Sequence, residues 1–363
     1  MTALMSQALS TAEGPAAAAP RPWPRAAGVP SYPPITGAGR SMGVDEFLAV
    51  THTTALLVVA DGTIVDERYF GGTTADDRLL GNSATKSALA LLVGTAVDSG
   101  RIPSLDDPAT AYVPELAVSG YRDVTVRHLL TMTTGVDWAE DHRDPGSPAA
   151  RLAARMREGA GGLREQLLQV PAGREPGTAF AYCTADSLVL DWVRERATGL
   201  DFAAHLARLW QAVGAERPAV VGLDAPHAAG GVAMAGGALA ATARDWARLG
   251  RLQIDGTWDG RRIVSRIWVE TSGRPSLPFL RPGRLPSTIT THAGFGFHWW
   301  PLDNTAQRVT ADGMRGQFVY VDRARRVVVV KTSAWPYDDP WTDRQCRDLC
   351  YLALPAIARG AAA

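Results

Sequence analysis

Gly81-Asn82-Ser83-Ala84-Thr85-Lys86-Ser87-Ala88 decides how the rest of this chain is read. Behind it runs Ala88-Leu-Ala-Leu-Leu-Val-Gly-Thr-Ala-Val97, nearly all apolar, closed by Asp98-Ser99-Gly100. This pattern predicts one buried helix, with Asn82 as its N-cap and Gly100 as its stop. Ser83 then lies in the first turn, and Lys86 three residues on lies on the same face. A hydroxyl and an amine meet at the positive end of a helix dipole, where an alkoxide is favoured.

A Ser-x-x-Lys spacing is common on helix surfaces, so the setting has to carry the reading. Lysine inside a buried helix is costly. The chain has 37 basic residues, and only Lys86 and Lys331 are lysines. Arginine supplies positive charge everywhere else, and arginine cannot release its proton, whereas a buried lysine can. Lys86 therefore reads as a general base rather than a carrier of charge.

At 363 residues the chain is long enough to bury a large core. Its formal charge is zero and its acids and bases are interspersed. That excludes the basic footprint of a nucleic-acid binder, and no apolar run approaches the length of a membrane span. The three cysteines, Cys183, Cys346 and Cys350, are odd in number and do not suggest a disulfide framework. Met1–Ala19 lacks the early basic residues and apolar core of a secretion signal. The expected location is the cytoplasm.

Residues 1–40 hold seven of the 24 prolines and much alanine, and read as an N-terminal arm. Ala55–Ala60 and Thr63–Phe70 flank Asp61-Gly62, a strong hairpin signal. From Pro103 to about Ser272 the spacing is mainly helical, over 126–132, 163–170, 187–198, 202–213 and 243–254. The tail returns to strand at Gly294–Trp300, Gly316–Val321 and Arg326–Lys331, then closes with a helix over Asp343–Ala358. The fold class expected is α/β (α+β): an antiparallel sheet flanked by helices, plus an inserted helical lobe. The expected division is the arm (1–40), a sheet domain (41–82 and 285–363), and a helical lobe over 83–284 that begins with the catalytic helix.

Two further stretches suit chemistry. Tyr182 stands between a Pro/Gly-rich loop and a helix in Phe180-Ala-Tyr-Cys-Thr184, where a phenol can relay a proton across a cleft. Asp312-Gly-Met-Arg-Gly-Gln317 leads into a strand, and backbone N–H groups beside such a glycine can face an oxyanion. There Arg315 suits a carboxylate. No metal-binding spacing and no phosphate or dinucleotide fingerprint is present, so no cofactor or metal is expected.

Ser83-Ala-Thr-Lys86, Tyr182-Cys-Thr184 and the glycine-containing strand box resemble the serine β-lactamase-like, penicillin-recognising hydrolase superfamily. The tyrosine motif is similar to that of class C enzymes and related esterases. The resemblance is nearest to the 6-aminohexanoate-dimer hydrolases, the nylon-oligomer amidases, and covers roughly residues 50–355. Tyr112–Leu116, Asp137–Pro145, Phe180–Thr184, Ala241–Gly250 and Gly316-Gln317 carry it. It implies a β-lactamase/transpeptidase-like fold, with Ser83 as nucleophile, Lys86 as base and Tyr182 as proton relay. It also implies an oxyanion hole from the Ser83 N–H and a second N–H between Met314 and Gln317. Matching to the amidases favours Met314, and matching to the lactamase box favours Gln317.

The chain departs from the family patterns at several places. Arg315 stands where lactamases carry the box lysine, and Thr184 where they carry asparagine. His142 stands where the amidases have a tyrosine that closes over the substrate. Lys331-Thr332-Ser333 looks like the box but follows the wrong strand. The segment from Ser147 to Gly173 is shorter than in the amidases. The implied function is a serine hydrolase that forms an acyl-enzyme on small amides or esters. Met314, Arg315, Gly316, Gln317, Thr184 and His142 are its candidate oxyanion and substrate contacts. A β-lactamase, a D-amino-acid peptidase and a non-catalytic ligand-binding member of the fold are the alternatives. The expected partner is a small molecule, with no nucleic acid or membrane, and the expected assembly is a monomer or homodimer.

Overall fold

The Asp61-Gly62 hairpin forms the edge of the main sheet. In the computed structural model, which describes residues 10–37 and 40–362, strand Thr53–Ala60 turns there and returns as Thr63–Tyr69. Both turn residues have positive φ, 44° and 79°, as a two-residue hairpin turn requires. The sheet has six strands in the order Trp300–Pro301, Arg308–Gly313, Gln317–Asp322, Val327–Ser333, Thr53–Ala60, Thr63–Tyr69, all antiparallel. Strand Val327–Ser333 pairs with Thr53–Ala60, so the two ends of the chain share one sheet.

Alternation along these strands sorts their side chains between two cores. Leu57, Val59, Val319, Val321, Val328 and Val330 pack with helices Thr85–Asp98 and Ala243–Asp255. Leu56, Val58, Phe318, Tyr320, Val327 and Val329 pack with helix Pro340–Ala361. Burial on both faces explains the unbroken run Val327–Val330. Each such valine contributes about 1.5–3 kcal/mol by its burial. Helix Ala243–Asp255 lies close because it presents Gly250 to the sheet. A Cβ there would sit 2.5 Å from Val328 Cγ1.

A second antiparallel sheet, not expected from the sequence, joins Thr11–Gly14, Ala219–Gly222, Leu239–Ala241 and Leu79–Leu80. Its strands are two to four residues long and rich in Ala, Gly and Leu, too short to show an alternation. Of the Ala/Pro-rich segment expected as an arm, residues 1–9 and 38–39 lie outside the described residues, and parts of the rest pack on the body. Thr11–Gly14 is an edge strand of this sheet. Trp23 is buried against the edge of Trp258 and the guanidinium of Arg248.

Of the three expected C-terminal strands, Gly294–Trp300 shrinks to Trp300–Pro301. Phe295 and Phe297 are buried on opposite cores without joining a ladder. Lys331 is fully buried on the Pro340–Ala361 face, away from the helix that carries Lys86. Its amine meets the Ser333 hydroxyl and lies over the Phe47 and Trp335 rings, and burial pushes its pKa down. It therefore stands outside the cleft. Lys331→Met is expected to leave kcat/KM within about twofold of wild type and to change stability by no more than about 1 kcal/mol, because an apolar chain of similar length replaces a buried amine whose hydrogen-bond partner is a neutral hydroxyl. Parallel kinetics and thermal unfolding check this.

Candidate active site

Ser83 sits in a single 3₁₀ turn, Asn82–Ala84, that feeds helix Thr85–Asp98. Asn82 does not cap that helix. It adopts a left-handed φ of 45° and turns its amide outward to donate to the Met314 carbonyl at 2.9 Å. The residue expected as a cap is thus a strut between the Ser83 turn and the tip of the Arg308–Gly313/Gln317–Asp322 hairpin. Two glycines permit the contact. A Cβ on Gly313 would lie 2.1 Å from the Gly81 carbonyl oxygen, and one on Gly81 would lie 2.4 Å from the Trp246 ring.

The small second sheet completes the clamp. The Gly81 N–H donates to the Leu239 carbonyl at 2.9 Å, and the Leu239 N–H donates to Thr85 Oγ1 at 3.0 Å. Leu239–Ala241 thereby holds the preceding Met234–Ala238 loop against the helix start. Gly236 in that loop presents its carbonyl to Lys86. No local spacing in the sequence marks that role.

Lys86 is 2% exposed. Its Nζ lies 2.6 Å from Gly236 O, 3.1 Å from Thr184 Oγ1 and 3.1 Å from Ser83 Oγ. Burial lowers its pKa to about 8, against the charge of Glu140 and the smaller contributions of Cys183 and Asp186. A neutral amine has two hydrogens and one lone pair. Gly236 and Thr184 take the hydrogens, which leaves the lone pair for the Ser83 hydroxyl.

Tyr182 stacks on Trp300 with centroids 5.6 Å apart and meets the edge of Phe295 at 6.3 Å. Its ring centroid is 5.2 Å from Lys86 Nζ. Burial pushes its phenol well above the usual range, only partly offset by a hydrogen bond with Ser83. A protonated phenol thus stands beside the serine oxygen, able to pass a proton to a leaving group.

Glu140 is the residue that sequence reasoning missed. Its carboxylate accepts from Trp138 Nε1 at 2.5 Å, from the Thr184 N–H at 2.8 Å, from the Thr184 hydroxyl, and from His142 Nε2 at 3.1 Å. Burial raises its pKa, but the His142 and Thr184 hydrogen bonds and the Lys86 charge outweigh that and hold it at about 2. In the sequence it was one acid among Asp137, Asp141 and Asp144. Only its place between Trp138 and His142, each two residues away, hinted at a shared carboxylate.

Ser83, Glu140, His142, Tyr182, Trp300 and Met314 line a cleft of about 190 Å³. Its far wall is a charged cluster. Arg347 pairs with Asp312, Tyr351 donates to Asp312 at 2.9 Å, and Arg143 lies over the Tyr337 ring. Thr184 lies beneath the floor, engaged by Lys86 and Glu140. Gln317 is buried and braces the turn by donating to the carbonyls of Met314, Arg315 and Ser333. Arg315 is not brought to the cleft. Arg315 and Gly316 both take positive φ, 62° and 89°, and this tight reversal leaves Met314 as the turn residue that lines the cleft with Ser83. His298 is a buried brace: it accepts the Ser87 hydroxyl at its carbonyl, 2.6 Å away, and burial and the Lys86 charge lower its pKa to about 3. Among the described residues no group of three or more His, Cys, Asp or Glu side chains is placed to hold a metal, and no helix is long and apolar enough to cross a membrane.

The Beta-lactamase family model matches residues 44–345, which span the six-stranded sheet, the Ser83 turn and the cleft lining up to Asp343. The chain belongs to the β-lactamase family. It is 34% identical over 311 residues to the 6-aminohexanoate-dimer hydrolase of Paenarthrobacter ureafaciens, covering 83% of this chain and 78% of that one. Family membership and this relative make it a serine hydrolase. Among solved structures, one from Bacillus anthracis assigned as a 6-aminohexanoate-dimer hydrolase aligns with a TM-score of 0.79 at 21% identity, over 97% of this chain and 92% of that one. A family VIII carboxylesterase aligns with a TM-score of 0.60 at 19% identity, over 83% of this chain and 96% of that one. These two likenesses are of fold. The expected β-lactamase/transpeptidase-like architecture is the observed one.

Proposed function

We propose that Ser83 attacks the carbonyl of a small linear ester or amide and carries the acyl group until water removes it. The observation that carries this reading is the three-point seat of Lys86, which puts Nζ 3.1 Å from Ser83 Oγ, where the neutral amine can turn its lone pair to the serine hydroxyl. Lys86 takes the serine proton, and Tyr182 gives its own proton to the leaving group and regains one from Lys86. The N–H groups of Ser83 and Met314 receive the oxyanion. Met314 supports that role by lining the cleft, whereas Gln317 pairs with Gly313 in the ladder. The three cysteines are buried and free of disulfides, which suits a reducing, cytoplasmic setting.

Short activated esters should be the better substrates, ahead of β-lactams. The Thr184 hydroxyl is committed to Lys86 and Glu140, so it has no donor to offer a lactam's acyl-amide group. Arg315, off the cleft, cannot supply the lactam carboxylate with a partner there. An activated ester needs little protonation of its leaving group and relies chiefly on the oxyanion hole. We expect kcat/KM for a p-nitrophenyl butyrate to exceed that for nitrocefin on one preparation. A larger nitrocefin value would overturn the substrate assignment and leave the Ser83 chemistry in place. The linear 6-aminohexanoate dimer, measured alongside, reports whether amides are also cleaved.

A further inference from the structure

When Ser83 gives up its proton, Lys86 becomes an ammonium inside the protein. A buried cation needs a balancing negative charge. The three groups that touch Nζ, namely Ser83 Oγ, Thr184 Oγ1 and Gly236 O, are neutral. The titratable groups around it are Tyr182, Cys183, Asp186, Glu140 and His298. Burial keeps the Tyr182 phenol and the Cys183 thiol protonated and His298 uncharged. Asp186 is raised to about 7 by burial, and its oxygens are taken by Thr134 at 2.9 Å and Tyr121 at 3.1 Å, with no hydrogen bond linking it to Lys86 or Thr184. Glu140 is ionised throughout the working range and is the carboxylate joined to Lys86 through a shared hydrogen-bond partner.

One hydroxyl links this carboxylate to the lysine. Lys86 Nζ donates to Thr184 Oγ1, whose own hydrogen goes to Glu140 Oε1, while the Thr184 N–H fixes Oε2 at 2.8 Å. We propose that Glu140 is the counter-ion of the Lys86 ammonium, acting through the Thr184 hydroxyl, and is therefore a positioning residue that sets the pH range of the reaction. This rests on the reading of Lys86 as the base.

The direction follows from the sign of the charge. A nearby carboxylate favours the protonated lysine, so removing it lets Lys86 lose its proton at lower pH. In wild type, kcat/KM is expected to rise with pH through about 8 and then level off. Glu140→Gln keeps the shape and an oxygen for the Thr184 N–H. It is expected to move this acid limb down by at least about 0.5 on the pH scale. The plateau should fall about 10- to 100-fold, because the transition-state ammonium then has only the oxyanion to offset it.

The measurement is the pH profile of kcat/KM for wild type, Glu140→Gln and Lys86→Met, with thermal unfolding as a check on folding. Should Glu140→Gln not fold, the limb is read on Glu140→Asp, whose more distant charge moves it the same way by less. A loss of rate with an unmoved limb, while Lys86→Met is inactive, would overturn the counter-ion role alone. Normal turnover by Lys86→Met would instead overturn the lysine's role as base and the counter-ion with it.

Discussion

Ser83→Ala is expected to lower kcat/KM for an activated ester at least about a thousandfold, in line with loss of a catalytic nucleophile. The fold should survive. Ser83 is half-buried in a 3₁₀ turn whose geometry is fixed by the Gly81–Leu239 and Asn82–Met314 hydrogen bonds, not by its own side chain. Lys86 keeps Gly236 and Thr184 as partners when the serine oxygen is gone. Kinetics and thermal unfolding on one preparation separate the two effects. Activity within tenfold of wild type, in a protein of unchanged melting temperature, would remove Ser83 from the mechanism.

Lys86→Arg should be nearly as damaging as Lys86→Ala, with a loss of about 100- to 10,000-fold, the usual range for a general base. Arginine preserves the charge but cannot release its proton. Its planar fork also does not fit a seat made for a single nitrogen between Gly236 O, Thr184 Oγ1 and Ser83 Oγ. If Lys86 served only as a fixed positive charge, the arginine variant would keep much of the rate. Single-turnover acylation at pH 9, where wild-type Lys86 is largely neutral, gives the sharpest contrast. Near-normal acylation there would show that charge alone is enough.

The parts of this site that were legible in the sequence are those set by local spacing. Ser83 and Lys86 stand three apart at the head of an apolar helix, and Tyr182 stands at a loop–helix junction two residues before Thr184. The hairpin at Asp61-Gly62 and the valine run at 327–330 announced the sheet through turn chemistry and burial on both faces. Contacts between distant segments left no such trace. Gly236 meets Lys86 across 150 residues and Asp312 meets Arg347 across 35, and neither pair has a spacing to read. Asn82 looked like a cap because asparagine caps helices, but the neighbouring hairpin supplied a stronger partner for its amide. Glu140 was hidden by charged neighbours that stay in solvent, and only burial separates it from them. The small sheet through Leu239–Ala241 escaped notice because its strands are shorter than one alternation.

The account stands most directly on whether an acyl group passes through Ser83. The protein would be quenched in acid during turnover of a slowly deacylating ester, then weighed intact and mapped by peptide. The predicted result is one added acyl mass on the peptide that contains Ser83, absent from Ser83→Ala. Turnover with no adduct in the quenched wild type, or an adduct on another residue that persists in an active Ser83→Ala protein, would contradict it.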